Sequence, residues 1–233
     1  MRRSERVDGL RGPVAAGVDG FGGRWVMAFV TGRTLRVALA DTAVGVLAAT
    51  RDCAGVGIDV PIGLAEDGRR RCDSQARALL PGVASSVFPA PARAVLGATD
   101  YGDAVSRSRA AAAGRAISKQ TWFITPGIAD FAGADVDHLR VVEVHPEVAF
   151  RAMGPATTYA PKRTTRGQGQ RIAALSVWVD LAAGIADLPT GSALHDVLDA
   201  VACAWSAWRW CTGTATVLGG ELDSTGAPMR IVV

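Results

Sequence analysis

Lysine is nearly absent from this chain of 233 residues, in which Lys119 and Lys162 are the only two. Arginine therefore carries almost all of the positive charge. Arginine suits bidentate contacts to phosphate, but an excess of arginine and alanine is equally expected from GC-rich coding. The formal net charge of +3 neither requires nor excludes a nucleic-acid partner, because a basic face can coexist with an acidic pocket.

Cysteine and long apolar runs are scarce as well. The chain has no C-x-x-C pair, which excludes a zinc ribbon and a thioredoxin-type motif. A reducing cytoplasm is the simplest fit to this cysteine usage. No run approaches the 18 apolar residues of a membrane-spanning helix, so no membrane partner is expected. The basic N-terminus is not followed by an apolar stretch, so no signal peptide is expected.

The composition is typical of a globular protein, with 49% hydrophobic and 20% charged residues. This length suits one domain that carries an insertion. We expect a single domain over residues 13–233, with an inserted helical and irregular region at about 64–138 and a frayed N-terminus over residues 1–12.

Short apolar runs separated by glycine-rich turns predict a three-stranded antiparallel meander at the start of the chain. Its strands are expected over residues 13–18, 25–30 and 35–39. A further buried strand over residues 55–60 stops at Pro61, which has no backbone donor. We expect this strand to lie beside the first one and parallel to it.

The rest of the chain predicts mainly helices. They are expected over residues 41–50, capped by Asp41 with Val44 and Leu47 inward, and over 73–80, 101–117, 148–153, 170–184 and 192–210, the last capped by Ser192. A fifth strand is expected over residues 139–144. The tail from residue 214 to 233 predicts a hairpin around Asp223 to Gly226.

Acidic residues stand at the ends of the two strands that we expect to be neighbours. Asp19 ends the first strand and Asp59 ends the fourth. In the late helix, Asp196 and Asp199 are three residues apart and share one face. Asp199 lies deeper in the helix and is the better candidate. The plainer interpretation is that Asp19 only forms a turn ahead of Gly20, and that the helix acids are solvated and favour the helix dipole.

With acids at the ends of two neighbouring strands and on a late helix, the layout resembles that of the RNase H-like nuclease fold, in which three or four carboxylates converge on two divalent cations. Two metals about 4 Å apart can activate a water and stabilise the leaving oxygen of a phosphodiester. Ligation by carboxylate oxygens alone suits Mg²⁺ or Mn²⁺. Like charges packed this closely repel one another, so function explains such a cluster better than stability does.

Seven stretches spread over most of the chain are weak individually but specific in number and order. They are Gly17 to Gly20 with Gly23 and Trp25; Ile58 to Leu64; Val87 to Pro91; Ser118 to Gln120 with Trp122; Glu143 to Glu147; Lys162 with Thr164 and Gly167; and Asp196 to Ala200. With them the chain resembles the family catalogued as domain of unknown function 429, described as predicted RNase H-like nucleases related to the RuvC resolvases.

The resemblance implies an α/β fold of the RNase H-like (RuvC-type) class. A mixed five-stranded sheet would be flanked by helices, with a helical insertion and a C-terminal hairpin. It also implies a metal-dependent phosphodiesterase. The chain departs from the family pattern at Gly127, where a lysine is usual, and at Gly22, where an arginine often precedes the second glycine. Both departures weaken the expected contacts to phosphate and leave the acids unchanged.

Other polar residues have two interpretations each. Glu143 either points into the cluster or pairs with an arginine, and Glu147 either joins the cluster or only starts a helix. His145 could orient a carboxylate or a water, or be a structural histidine. Basic residues that could contact phosphate, or lie on the solvated surface, are Lys119, Lys162 and Arg171.

The main hypothesis is therefore a Mg²⁺- or Mn²⁺-dependent nuclease that binds two ions. The expected catalytic residues are Asp19, Asp59, Glu143 and Asp199, and the expected metal ligands are Asp19, Asp59, Asp196 and Asp199. The expected substrate-binding residues are Lys119, Lys162, Arg171 and His145. The expected partners are a nucleic-acid or nucleotide substrate and a second copy of the chain in a homodimer.

Two alternatives stay open. One is an RNase H-like binding or scaffold protein without turnover, which the departure at Gly127 and the modest net charge favour. The other is a sugar-kinase or actin-like ATPase, which also opens with Asp-Gly on a first hairpin. That fold needs two such domains and a second phosphate loop, and this chain shows only one copy.

Overall fold

The computed structural model describes residues 14–155 and 158–233, so the predicted frayed N-terminus at 1–12 lies outside the described residues. The strands are β1 Ala15–Phe21, β2 Arg24–Thr31, β3 Thr34–Ala40, β4 Gly55–Ile58, β5 Val141–Glu143, β6 Val217–Leu222 and β7 Pro228–Val232. The α-helices are α1 Ala43–Ala49, α2 Arg71–Ala78, α3 Tyr101–Ala111, α4 Lys119–Ala132, α5 Pro146–Met153, α6 Thr165–Ser176, α7 Leu181–Ile185 and α8 Leu194–Cys211.

Five of the strands form one mixed sheet in the order β3-β2-β1-β4-β5. Strands β1, β2 and β3 pair antiparallel, while β4 pairs parallel with both β1 and β5. The predicted meander and the predicted parallel neighbour of the first strand are both confirmed. The first strand is longer than expected, because it continues through the acid to Phe21, and Asp19 pairs with Val26 inside the ladder.

The two faces of the sheet are covered by different helices. On β1, Ala16 and Val18 belong to an apolar cluster that contains Ile128 and Phe131 of α4. The residues that alternate with them, Gly17 and Asp19, face the other way, because successive side chains of a strand point to opposite faces. That second face is covered by α8.

Helix α8 lies unusually close to the sheet because the strands beneath it carry glycine. A Cβ added to Gly17 would lie 1.9 Å from the backbone oxygen of Ala200, and one added to Gly57 would lie 2.4 Å from that of Cys203. Backbone atoms cannot rotate away as side chains can. These glycines on β1 and β4 therefore set the distance between the sheet and α8.

Helix α1 begins one residue later than predicted. Thr42, and not Asp41, caps it, since the Thr42 side chain accepts a hydrogen bond from the backbone N–H of Gly45. The buried residues of this helix are Ala43 and Val46. Val44, predicted to point inward, is 66% exposed, and that prediction is wrong.

Helix α4 falls in the region that was expected to be helical and irregular, although no individual helix was predicted over these residues. It contains Pro126 and Gly127, which are both unfavourable inside a helix. Tertiary packing overrides them. A Cβ on Gly127 would lie 2.9 Å from the ring of Trp25, so glycine allows the helix to approach β2. The Trp25 indole also donates to Asp130 of the same helix at 3.0 Å.

Other helix boundaries differ from the predictions for local reasons. Helix α3 ends at Ala111, and the predicted helix over residues 170–184 is split into α6 and α7, where Asp180 caps the second helix. Ser192 does not cap α8, because its hydroxyl donates to the carbonyl of Pro189 at 2.8 Å. Strand β5 is shorter than predicted.

The predicted C-terminal hairpin is confirmed as the antiparallel pair β6–β7. Its turn is closed by Asp223, whose carboxylate accepts from the backbone N–H groups of Thr225 at 2.8 Å and Ala227 at 3.0 Å. Over the described ranges, no helix combines the length and apolarity needed to cross a membrane.

The substitution Gly17→Ala tests the close approach of α8. It should lower the free energy of unfolding by more than about 3 kcal/mol, beyond the usual 1–3 kcal/mol of core overpacking, because the conflict is with backbone. Chemical denaturation measures it.

The matched control is Gly169→Ala in α6, where the added Cβ meets no atom within 4 Å. There the change should be neutral or stabilise by up to about 1 kcal/mol. Equal losses of stability in the two variants would contradict the proposed packing constraint.

Candidate functional site

Asp19 and Asp59 lie side by side at one edge of the sheet. In the β1–β4 ladder, Gly17 is opposite Gly57 and Val18 is opposite Ile58, so the two aspartates are the next pair. The backbone N–H of Asp59 donates to the carbonyl of Val18 at 3.0 Å. Because each aspartate follows its glycine by two residues, both side chains are directed to the face that α8 covers.

Helix α8 brings a third acid to this place. Asp199 is 1% exposed and adjoins Ala200, whose backbone oxygen lies directly over Gly17. Asp196, one turn earlier, is partly exposed, and its carboxylate lies 3.3 Å from the Nε2 atom of His195. Of the two helix acids, Asp199 is therefore the more buried.

Lys162 joins the three acids from the segment that precedes α6. Its ammonium Nζ atom lies 2.5 Å from Oδ2 of Asp199. Burial opposes the charge on Lys162, but Asp199, followed by Asp19 and Asp59, outweighs it, so the pKa of this lysine is raised. Lys162 is therefore charged at neutral pH and acts as a local counter-ion.

Ionisation of the acids is costly despite this lysine. Burial raises the pKa of Asp19 well above its ordinary value, and repulsion from Asp59 and Asp199 raises it further. Burial also raises the pKa of Asp59 to about 6, against the opposing effect of Lys162. The pKa of Asp199 is raised to about 6 in the same way. Perturbed carboxyl groups in a cleft are typical of functional sites.

The acids open into a cavity of about 750 Å³. Its walls come from the turn between β1 and β2, from residues 86–88, from α4 and from the segment that carries Lys162 and Arg163. All three aspartates and Asp196 line it. The volume is within the range of sites that bind small ligands.

The donor set suits a hard cation, although the site is not already arranged as a metal centre. Within residues 14–155 and 158–233, no group of three or more His, Cys, Asp or Glu side chains has a metal-binding arrangement. The Oδ1 atom of Asp199, however, is buried and has no hydrogen-bond partner among the described residues. An orphaned carboxylate oxygen beside two other aspartates fits the oxygen-only ligation that Mg²⁺ and Mn²⁺ prefer.

Glu143 lies at the end of β5 but is engaged elsewhere. Arg70 donates to both of its oxygens, at 2.6 and 2.7 Å, and the backbone N–H of Ile62 donates to one at 3.0 Å. The same guanidinium pairs with Asp73. All three charged side chains are buried. The alternative in which Glu143 pairs with an arginine is the one that the structure shows.

Glu147 and Arg171 form a second ion pair, in which the arginine is buried and the glutamate is partly exposed. The guanidinium of Arg171 donates to both carboxylate oxygens of Glu147, at 2.6 and 2.8 Å, and to the carbonyls of Ala160 and Gly167. Arg171 is 1% exposed. The predicted contact of Arg171 with phosphate is wrong for this arrangement, because these bonds would have to break to free it.

His145 and Lys119 take different places. His145 lines the cavity, and its Nε2 atom lies 3.2 Å from the carbonyl oxygen of Ser86. Burial lowers the pKa of His145, so the ring is neutral at pH 7. Lys119 is the exposed first residue of α4 and is not among the residues that line the cavity.

Sequence reasoning missed Arg70, which decides the role of Glu143 and also lines the cavity. Nothing in its local sequence marks it. A usable signal for the acids did exist, namely the repeat of Gly-x-Asp at Gly17–Asp19 and Gly57–Asp59. Glycine two residues before each acid marks the face on which the helix sits.

Comparison with known proteins gives one match. The model of a family described as "Protein of unknown function (DUF429)" matches residues 17–223. No curated protein and no solved structure gives a significant match. The matched range contains Asp19, Asp59, Asp199 and Lys162.

The raised pKa of Asp59 predicts how stability depends on pH. A carboxyl group with a folded-state pKa of about 6 contributes its full stability below the unfolded pKa near 4, and this is lost as pH rises through about 6. We expect Asp59→Asn to raise the free energy of unfolding by about 2 kcal/mol at pH 8 and by almost nothing at pH 4.

Urea denaturation of parent and variant across this pH range measures the difference. Asp52→Asn is the control, because the side chain of Asp52 is 92% exposed, and it should show no such trend. A pH-independent difference for Asp59→Asn would contradict the assignment.

Proposed function

The chain belongs to the family described as protein of unknown function (DUF429), and we propose that it is a phosphodiesterase dependent on a divalent cation, with a nucleic acid or a nucleotide as its substrate. The observation that carries the proposal is the convergence of Asp19, Asp59 and Asp199 from β1, β4 and α8. Repulsion among these carboxylates opposes their ionisation, and a bound divalent cation would relieve it.

The order of elements supports an RNase H-like (RuvC-type) fold for this activity. An antiparallel β1–β2–β3 meander, a parallel β4 beside β1 and a late helix that carries an acid are its elements, and all are present. Fold alone does not determine chemistry. The proposal therefore depends on the site, and the topology only explains how the acids come together.

Asp19, Asp59 and Asp199 would hold Mg²⁺ or Mn²⁺, with Asp196 as a further candidate at the exposed side. A bound divalent ion supplies charge stabilisation at phosphate oxygens and an activated water. The chain itself supplies rigid positions for the carboxylates, because two are on paired strands and the third is on a helix fixed by backbone contacts. Such rigidity is what catalytic geometry requires.

Cationic side chains would contact the substrate. Lys162 lies at the acids, and Arg163 and Arg24 line the same cavity. Arg24 pairs with Asp41 on the surface at 2.6 Å, a contact that water screens and that a phosphate could replace. Neutral His145 is positioned to orient a polar group in the cavity.

The metal site is tested by titration of Mn²⁺ with isothermal calorimetry, beside a thermal-shift assay. The parent should bind Mn²⁺ and gain thermal stability, because a ligand that binds only the folded state stabilises it by mass action. Asp19→Asn should lose both effects, while the exposed control Asp52→Asn should keep them.

Cleavage is tested with end-labelled single-stranded and duplex oligonucleotides, with DNA and RNA, in the presence of Mg²⁺ or Mn²⁺. Asp19→Asn should abolish metal-stimulated cleavage, with a loss of at least about 10²-fold, as expected when a catalytic charge is removed. Equal activity in Asp19→Asn and the parent would contradict the assignment of the aspartates as catalytic metal ligands.

A titration that stays silent at millimolar Mn²⁺ would instead favour a binding or scaffold protein without turnover. One observation specifically favours that second candidate, namely the ion pair of Lys162 with Asp199. In such a protein, the lysine is the permanent counter-ion of the cluster. Replacement of Lys162 by methionine should then destabilise the fold strongly at pH 8, because it leaves a buried charge unpaired.

A further inference from the structure

Two exposed phenylalanines line the same cavity as the acids. Phe123 on α4 is 75% exposed and Phe88 is 41% exposed, whereas Phe29, Phe131 and Phe150 are buried. Single exposed apolar residues are normal on protein surfaces. Two aromatic rings at the mouth of one charged cavity are a more specific feature, because such rings are the usual platforms for nucleobases.

Phe88 is exposed although its neighbours are firmly held. Arg77 donates to the carbonyl of Val87 at 2.7 Å, and Val87 itself is buried. On either side, the Ser86 carbonyl lies 3.2 Å from His145 Nε2, and the Ala90 N–H donates to Asp73 at 3.1 Å. The ring therefore projects from a fixed backbone.

Phe123 stands on the same wall. The hydroxyl of Thr121, two residues earlier, donates to the carbonyl of Pro89 at 3.3 Å, which joins the start of α4 to the segment of Phe88. The helix is fixed farther along by Asp130, which accepts from the N–H of Ala43 at 2.6 Å. Both rings are thus presented by rigid elements.

The charges beside the rings match a phosphate backbone. Lys162 and Arg163 line the cavity, and Arg163 is exposed and forms no salt bridge to any residue of the described ranges. A cavity of about 750 Å³ is in the size range for a small-molecule ligand, which admits roughly one or two nucleotides and not a duplex. Unpaired bases are also the ones whose faces are free to stack.

We propose that Phe88 and Phe123 form a stacking site for unpaired bases, and that single-stranded nucleic acid is the ligand class of this cavity. The inference rests on the proposed function, because it assumes that the backbone of the strand passes the acids. It adds that the substrate is single-stranded. The cavity would select strands whose bases are unpaired, whatever their base sequence.

The experiment measures binding of a short fluorescein-labelled single-stranded oligonucleotide by anisotropy, at low salt and in EDTA so that no cleavage occurs. Phe123→Leu and Phe88→Leu should each weaken binding roughly 5- to 150-fold, the range for loss of one base stack. Leucine keeps an apolar side chain without the ring face. Phe123→Tyr should bind like the parent, as should the control Leu139→Ala, a residue that is 86% exposed and outside the cavity lining.

An oligonucleotide with abasic sites opposite the rings should bind the parent as weakly as the intact strand binds the leucine variants, and a duplex should compete poorly. Unchanged affinity in both leucine variants, or equal affinity for the duplex, would overturn the proposal. Adenosine monophosphate that competes as well as the strand would overturn the strand as ligand in favour of a free nucleotide.

Binding in EDTA is independent of turnover. A protein that stacks single strands but shows no metal-stimulated cleavage would retain this inference and lose the proposed activity. Metal-stimulated cleavage that is the same in the parent and in both leucine variants would support the proposed activity and contradict the stacking site.

Discussion

The close contact between helix α8 and the central strands is the constraint on which the rest of the structure depends. Gly17 and Gly57 remove the side chains that would otherwise separate α8 from β1 and β4. The distance between the sheet and α8 is then set by contacts between backbone atoms, which cannot move aside as side chains can. In the same strands the acids follow the glycines by two residues, so the contact that packs the core also brings Asp19 and Asp59 to Asp199.

The acids near the site fall into two groups according to the cations that they contact. Glu147 meets the buried Arg171, whereas Glu143 shares the buried Arg70 with Asp73, and each guanidinium donates to both oxygens of its glutamate. Asp19, Asp59 and Asp199 share Lys162, and their pKa values are raised; burial also raises the pKa of Glu143, despite its arginine. Removal of one partner from either ion pair would lower the free energy of unfolding strongly, because it would leave the other charge without compensation. A cluster that is still short of cations is suited to bind one.

The two cavity-lining elements that carry Phe88 and Phe123 are held firmly in place and yet present exposed side chains. Segment 86–90 and helix α4 are held by hydrogen bonds to Arg77, Asp73 and Asp130, yet they present aromatic rings to solvent. On a backbone that is already held, an aromatic side chain has few rotatable bonds to restrict when a ligand binds, so it can contribute affinity efficiently. Aromatic rings, cations and acids thus line a single cavity.

The sequence predicted the strands of the meander, the late helix and the positions of Asp19, Asp59 and Asp199, because strand periodicity and helix spacing are local properties, and it predicted the parallel fourth strand from the order of the elements. It did not determine helix α4, where packing on Trp25 overrides Pro126 and Gly127. Tertiary structure alone decided the roles of the remaining charges. An arginine is drawn to whichever acid is buried beside it, and Arg70 reaches Glu143 across 73 positions of the chain, a distance over which no local pattern carries information.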